Sequence, residues 1–204
     1  LSAPEESVSE AFDLLVSDFD SSDELDLQYD LPYPKWEFLR YLSERHRFLL
    51  HGSGLALSKL EPRAQDDWIG RPINAVFATS DPIWSIFFAT INRAAVDGSI
   101  RNGGLLIDAP QSANERYYFF SVSEGGAAGQ VLQPGYVHLL RREGFQASSA
   151  PVRFDEWHGE EAVRVVKRLA VGVGDFPFAG VIARHPVEAR VATWVNYRRR
   201  VFRS

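Results

Sequence analysis

The stretch Phe48–Gly54, FLLHGSG, is the most informative part of the sequence. Three apolar residues in a row are typical of a short buried strand. They lead directly into a histidine and a serine between two glycines, and glycine allows another group to approach the backbone closely because it has no Cβ. The stretch therefore predicts a buried strand that ends in a polar triplet, His51-Gly52-Ser53.

The composition limits the kinds of protein that this chain can be. It has 204 residues, of which 45% are hydrophobic, which is enough for one core in a single domain. The absence of cysteine excludes disulfides, zinc-thiolate sites and cysteine nucleophiles. No apolar run is long enough to span a bilayer, so we expect no membrane contact. The lack of cysteine is compatible with any compartment, and we expect a cytoplasmic protein.

The charges are unevenly distributed along the chain. Residues 1–30 hold ten of the 27 acidic residues and no lysine or arginine, so 17 acids stand against 22 bases in the rest. We therefore divide the chain into an acidic N-terminal segment at 1–30, partly helical or flexible and a candidate for binding a partner, and a single domain at 31–204. The arginines from Arg184 onward are interpreted as a solvated end of the chain rather than a nucleic-acid patch.

The elements around the opening stretch can be assigned from their patterns. A helix is predicted at 35–47 after Pro34, and residues 57–72 are predicted to be a loop. Residues 75–79 (AVFAT) predict a strand, and Asp81 and Pro82 are a typical N-cap and first residue of the helix that follows. Short strand-like runs come later, so we predict an α+β fold with a mixed, mostly antiparallel sheet.

The common catalytic motifs are missing. No serine lies in a G-x-S-x-G elbow, no glycine-rich loop leads to Gly-Lys-Ser/Thr, and no H-E-x-x-H spacing occurs among the histidines. The His51-Gly52-Ser53 triplet is therefore the main candidate for a functional site.

Three segments in order resemble the ADP-ribosyltransferase fold of the poly(ADP-ribose) polymerase or diphtheria-toxin type. They are FLLHGS at 48–53, AVFATSDPIWSIFFA at 75–89, and EW at 156–157 followed by AVRVVKRLAV at 162–171. The resemblance implies a split sheet with flanking helices. It also implies an enzyme that takes NAD as substrate, cleaves the nicotinamide–ribose bond and transfers ADP-ribose to a protein, nucleic acid or small molecule.

The resemblance assigns a role to each residue of the triplet. His51 would be a catalytic-site residue that hydrogen-bonds a ribose hydroxyl of NAD. Gly52 would hold the nicotinamide carboxamide through its main-chain N–H and C=O, and Ser53 would make a secondary contact with the ligand.

Aromatic residues would complete the nicotinamide site. Phe87 falls where the family usually has a tyrosine that stacks on the nicotinamide ring, so an aromatic ring is kept and a hydroxyl is lost. Tyr117 or Tyr118 would supply a second wall.

Glu156 would be the catalytic acid, with Glu160 and Glu161 as rivals. Cleavage of the nicotinamide–ribose bond develops positive charge on the sugar, and a fixed carboxylate stabilises that charge and orients the incoming nucleophile. This is the logic of glycosidases with one carboxylate fewer.

Three alternatives stay open at this point. The chain is a catalytically degenerate member of the same fold that binds NAD or ADP-ribose, an RNA 2′-phosphotransferase of that fold, or an unrelated α+β interaction domain whose acidic N-terminal segment meets a partner.

Overall fold

The computed structural model describes residues 6–17, 19, 22–66, 72–109, 112–124, 131–147 and 153–186. Within these residues the α-helices are α1 (Glu6–Val16), α2 (Lys35–Arg45) and α3 (Pro82–Thr90). None of them has the length and apolar character needed to cross a membrane. The arginine-rich end of the chain, from 187 onward, lies outside the described residues.

Strands make up most of the regular structure in this part of the chain. They are β1 (Leu49–Ser53), β2 (Lys59–Leu60), β3 (Arg63–Asp66), β4 (Pro72–Ala78), β5 (Ile100–Ala109), β6 (Ser112–Ser123), β7 (Gly135–Leu140), β8 (Gln146–Ala147), β9 (Arg153–Phe154), β10 (Trp157–Gly159), β11 (Val163–Arg164), β12 (Lys167–Val171) and β13 (Ala183–His185).

The strands pair into several sheets. Their orders are β1-β7-β12, β3-β4-β10-β8, β13-β6-β5-β9 and the two-stranded β11-β2. The described pairings are antiparallel except that of β13 with β6. The prediction of an α+β fold with mostly antiparallel sheets is confirmed.

The predicted loop at 57–72 is partly wrong, because it contains β2 and β3. β2 pairs with β11 about a hundred residues away, and β3 pairs with β4. Both strands are short and mostly polar, so they show no apolar pattern in the sequence. The partner of β3 is the next strand along the chain, whereas the partner of β2 is distant and only the folded structure brings the two together.

The first two residues of β1 are buried on opposite faces of the strand, which explains the apolar run that precedes His51. Leu50 belongs to the main core, which also contains Phe38 and Phe87. Leu49 points to the opposite face and packs in a second, smaller core with Leu140. Successive side chains of a strand point to opposite faces, so the part of β1 that lies between two cores is apolar on both faces, whereas His51, Gly52 and Ser53 at its end are only partly buried.

Helix α3 is capped as the sequence predicts and is buried along nearly its whole length. The Asp81 carboxylate accepts a hydrogen bond of 2.9 Å from the Trp84 main-chain N–H, and Pro82 is the first helical residue. The helix packs across β1 and β7, because residues from all three elements belong to the main core.

Two glycines allow the backbone of α3 to lie directly on these strands. A Cβ at Gly52 would lie 2.0 Å from the Ser85 carbonyl oxygen, and a Cβ at Gly135 would lie 1.9 Å from the Ala89 carbonyl oxygen. Neither glycine has a positive φ, so what each position requires is space and not a special backbone conformation.

The acidic N-terminal segment is part of the folded structure. Phe12 of α1 is fully buried in the main core. Farther along, the Leu27 N–H donates a hydrogen bond of 2.9 Å to the Arg168 carbonyl, and the Arg168 guanidinium contacts both carboxylate oxygens of Asp26. This segment therefore covers the edge of β12 with main-chain and charge-assisted bonds.

We predict that Gly52→Ala destabilises the protein by about 1–3 kcal/mol, because the new methyl group overlaps the backbone of α3. The matched control is Gly54→Ala, whose Cβ would meet only the Gln133 side chain, at 3.1 Å. We expect this control to change the free energy of unfolding by less than about 0.5 kcal/mol. Urea unfolding measures the free energy of unfolding of both variants. Equal effects of the two substitutions would contradict the close contact between α3 and Gly52.

Candidate functional site

A cleft opens where β1 and β4 separate, beside helix α3. It has a volume of about 190 Å³, and the residues that line it include His51, Gly52, Trp84, Phe88 and Glu156. These residues come from β1, from α3 and from the segment just before β10. The cleft therefore brings together residues that are about a hundred positions apart in the chain.

A larger groove adjoins this cleft. Its volume is about 650 Å³, and it shares His51, Gly52 and Phe88 with the cleft. Arg63 and Arg93 also line it, and within the described residues neither of them pairs with a carboxylate. The groove thus carries two exposed guanidinium groups next to the cleft, and that of Arg93 also lines the cleft; guanidinium groups suit an anionic ligand group.

The imidazole of His51 is held in one tautomer. Its Nδ1 lies 2.7 Å from the Phe77 carbonyl oxygen, which can only accept, so Nδ1 carries the proton. Burial lowers the pKa of His51, and the positive charge of Arg63 acts in the same direction. The ring is therefore neutral near pH 7, and its Nε2 is an acceptor that suits a hydroxyl group.

The main chain of Gly52 offers a donor and an acceptor on the cleft side of β1. The Leu50 N–H and C=O both bond to Thr79 at the end of β4, at 2.7 and 2.9 Å. Main-chain groups two residues apart in a strand point to the same side. The Gly52 N–H and C=O therefore point away from β7, and within the described residues no main-chain partner meets them.

Ser53 lies at the end of β1, opposite Tyr136 of β7. Its hydroxyl accepts a hydrogen bond of 3.2 Å from the Leu55 N–H. It lines the larger groove and does not line the cleft. A secondary ligand contact is compatible with this place.

Phe87 does not lie in the cleft, where the resemblance to the ADP-ribosyltransferase fold predicted it. It is fully buried, packed on Phe120 at a ring distance of 4.6 Å and on Phe176 at 5.7 Å, and it does not line the cleft. Its neighbour Phe88 does, together with Trp84, at a ring distance of 5.8 Å. Residues four apart share one face of a helix, so the spacing of Trp84 and Phe88 is the sequence pattern that marks the face of α3 lining the cleft.

Tyr117 and Tyr118 lie outside the cleft as well. Tyr117 is half exposed on β6 and lines neither the cleft nor the groove. Tyr118 points the other way and donates a hydrogen bond of 2.8 Å to Asp81. Burial, together with the Asp81 carboxylate, raises the pKa of Tyr118, so it stays a neutral donor.

Of the three candidate acids, Glu156 is the one that lines the cleft. Glu160 and Glu161 line a separate surface depression next to Arg141 and Arg164. Strand β10 separates these positions, because Glu156 comes directly before Trp157 and Glu160 directly after Gly159.

The sequence pattern did not reveal a group of charges in which two buried carboxylates share one partly exposed arginine. One Arg116 nitrogen lies 2.5 Å from Asp81 and 2.8 Å from Asp155, and both carboxylates are almost completely buried. Burial by itself lowers the pKa of Arg116, but the two carboxylates raise it above its ordinary value. We call Asp81, Arg116 and Asp155 the Asp–Arg–Asp triad.

His138 supports the cleft strand from β7. Its Nδ1–H donates to the His51 carbonyl at 3.0 Å, and its Nε2 accepts from the Leu57 N–H at 3.0 Å. Burial lowers the pKa of His138 to about 4, and the positive charge of Arg168 acts in the same direction. The histidine thereby ties the loop after β1 to the sheet.

The comparisons with known proteins found no family model, no curated protein and no solved structure that matches this chain. In the part of the chain that the structure describes, no cluster of three or more His, Asp or Glu side chains could hold a metal ion.

We predict that acid destabilises the protein through His138. The folded pKa lies below the unfolded value of about 6.5, so the unfolded chain takes up a proton that the folded protein does not. This contribution to stability is complete above about pH 6.5 and is lost as the pH falls toward 4. We expect the loss of this contribution to lower the free energy of unfolding by about 2 kcal/mol between pH 7 and pH 5.

The control variant is His138→Gln, which does not titrate and keeps an acceptor for the Leu57 N–H. Urea unfolding at both pH values should show a smaller loss in this variant than in the wild type. An equal loss in the two proteins would assign the acid sensitivity to other groups.

Proposed function

We propose that this protein binds NAD and cleaves its nicotinamide–ribose bond, as an ADP-ribosyltransferase-like enzyme that passes ADP-ribose to an acceptor. The observation that carries the proposal is that His51, Gly52 and Glu156 line one cleft. These are the residues that the resemblance to the family assigns to ribose, carboxamide and catalysis. Their meeting supports the proposal because they come from distant parts of the chain.

The edge of β1 suits the carboxamide of nicotinamide. A primary amide carries one acceptor oxygen and a donor NH₂, and the Gly52 main chain offers the matching donor and acceptor on one side of the strand. Trp84 and Phe88 provide flat apolar surface for an aromatic ring beside that edge.

Glu156 and His51 would act on the ribose. The neutral His51 Nε2 accepts a hydrogen bond from a ribose hydroxyl. When the glycosidic bond breaks, its electron pair leaves with nicotinamide, and positive charge develops on the sugar. The Glu156 carboxylate stabilises that charge, and the acceptor then forms a bond to the same carbon and loses a proton.

The groove next to the cleft favours a dinucleotide, rather than a simple nicotinamide riboside, as the ligand. Arg63 and Arg93 stand within the groove, and Arg93 also lies 5.7 Å from the Phe88 ring centre. Guanidinium groups are strong partners of phosphate oxygens, so they suit the diphosphate of NAD.

One observation favours a second candidate, a protein of this kind that binds NAD or ADP-ribose without turnover. Phe87 is buried in the core, and among the described residues that line the cleft there is no tyrosine. The stacking tyrosine that the family usually has is therefore not replaced by another tyrosine in the cleft. Binding measured by calorimetry without release of nicotinamide would identify this case.

We predict that Glu156→Gln lowers kcat for nicotinamide release from NAD by about 100- to 1,000-fold, since it removes a charge needed in the transition state. Affinity for NAD should change by less than about threefold. His51→Ala should weaken NAD binding as well. Glu160→Gln is the matched control and should behave as the wild type, because Glu160 lies outside the cleft.

Two results would count against the proposal. If the wild-type protein releases no nicotinamide with water or with protein, nucleic-acid and small-molecule acceptors, the enzymatic role is wrong. If neither NAD nor ADP-ribose raises the melting temperature, binding is wrong too, because a ligand that prefers the folded state must raise it.

A further inference from the structure

The Asp–Arg–Asp triad joins the elements that form the walls of the cleft. Asp81 caps α3 through the Trp84 N–H, and Asp155 accepts hydrogen bonds from the Ser80 hydroxyl at 2.5 Å and the Ser80 N–H at 3.3 Å. Arg116, from β6, bridges the two carboxylates. The end of β4, the start of α3 and the segment before β10 are therefore tied at one point.

Asp155 is next to Glu156 in the chain. Its side chain is 5% exposed and accepts a further hydrogen bond of 3.1 Å from the Trp157 indole N–H. Both carboxylate oxygens of Asp155 therefore accept hydrogen bonds. On the other side of Glu156, Trp157 pairs with Ala78 of β4, so the backbone is held both before and after Glu156. Glu156 itself faces the cleft.

We propose that Asp155, through its bonds to Arg116 and Ser80, is a positioning residue that holds the Glu156 carboxylate in the cleft. The inference rests on the proposed function, which gives Glu156 its catalytic role, but the placement of residue 156 can be tested separately. Asp155 does not line the cleft and so acts only through its neighbour.

The chemistry of the triad suits this role better than a purely stabilising one. Two buried carboxylates and one guanidinium leave a net negative charge, and replacement of buried charges by apolar residues is often neutral or stabilising. Such a network has directional bonds, which define one relative position of the tied elements. Positioning of a catalytic group needs that kind of restraint, because an error of about 1 Å can cost about 100-fold in rate.

The kinetic test uses Ser80→Ala, which removes one bond to Asp155 and leaves the triad charges, and Asp155→Asn, which alters the triad itself. We expect kcat for nicotinamide release to fall about 10-fold in the first and about 100-fold in the second, with KM within about threefold of the wild type. Ser80→Thr keeps the hydroxyl and should restore kcat. Asp175→Asn is the control, since it breaks the ion pair with Lys35 and lies outside the cleft.

A second readout does not depend on activity. The chain has no cysteine, so Glu156→Cys places a single thiol at this position. We expect its rate of labelling by a thiol reagent to rise several-fold when Ser80→Ala or Asp155→Asn is added, and to stay unchanged when Asp175→Asn is added. This comparison also applies if Asp155→Asn is too unstable, because Ser80→Ala is the milder change.

The outcomes separate the two ideas. Unchanged kcat and unchanged labelling in both variants overturn the positioning role, while the proposed function stands. A wild-type protein that releases no nicotinamide overturns the proposed function. In that case the labelling rates decide the positioning role: a several-fold rise supports it, and equal rates overturn it.

Discussion

The close contact between helix α3 and strands β1 and β7 is the constraint on which the rest of the structure depends. At Gly52 and Gly135 the helix backbone occupies the space that a side chain would need. A helix that lies this near to a sheet fixes the distance between β1 and the aromatic side chains of the helix, and it also fixes the position of β1. The cleft then follows, because Leu50 of β1 bonds to Thr79, directly after β4, and no strand among the described residues pairs with this edge of β1 beyond that point.

Gly52 therefore has two roles that are independent of each other. Its missing side chain makes room for α3, whereas its N–H and C=O lie in the plane of the sheet and face the cleft. The sequence predicts that another group approaches the backbone at this glycine, and in the structure that group is helix α3. The proposed ligand contact uses the main chain and does not need that space.

The candidate site shows why some residues could be predicted and others could not. The triplet at 51–53 could be found because it interrupts an apolar strand, and Asp81 because caps have a local sequence pattern. Phe87 was chosen by counting along a helix, where one position turns the side chain by about 100° and exchanges a cleft residue for a core residue. Arg116 and Asp155 could not be recognised from a local sequence pattern, because their roles depend on partners in other elements.

The sequence by itself determined the α+β class, the helix that begins at Pro82, the buried strand before His51 and the candidate residues of the triplet. These features depend on local composition and on the alternation of apolar residues, which act over a few positions. Only the tertiary structure decided that Glu156 rather than Glu160 lines the cleft, that Phe88 and not Phe87 lies there, and that Arg116 meets two buried carboxylates next to it. Those choices depend on contacts between residues far apart in the chain, and such contacts exist only once the core has brought the elements together.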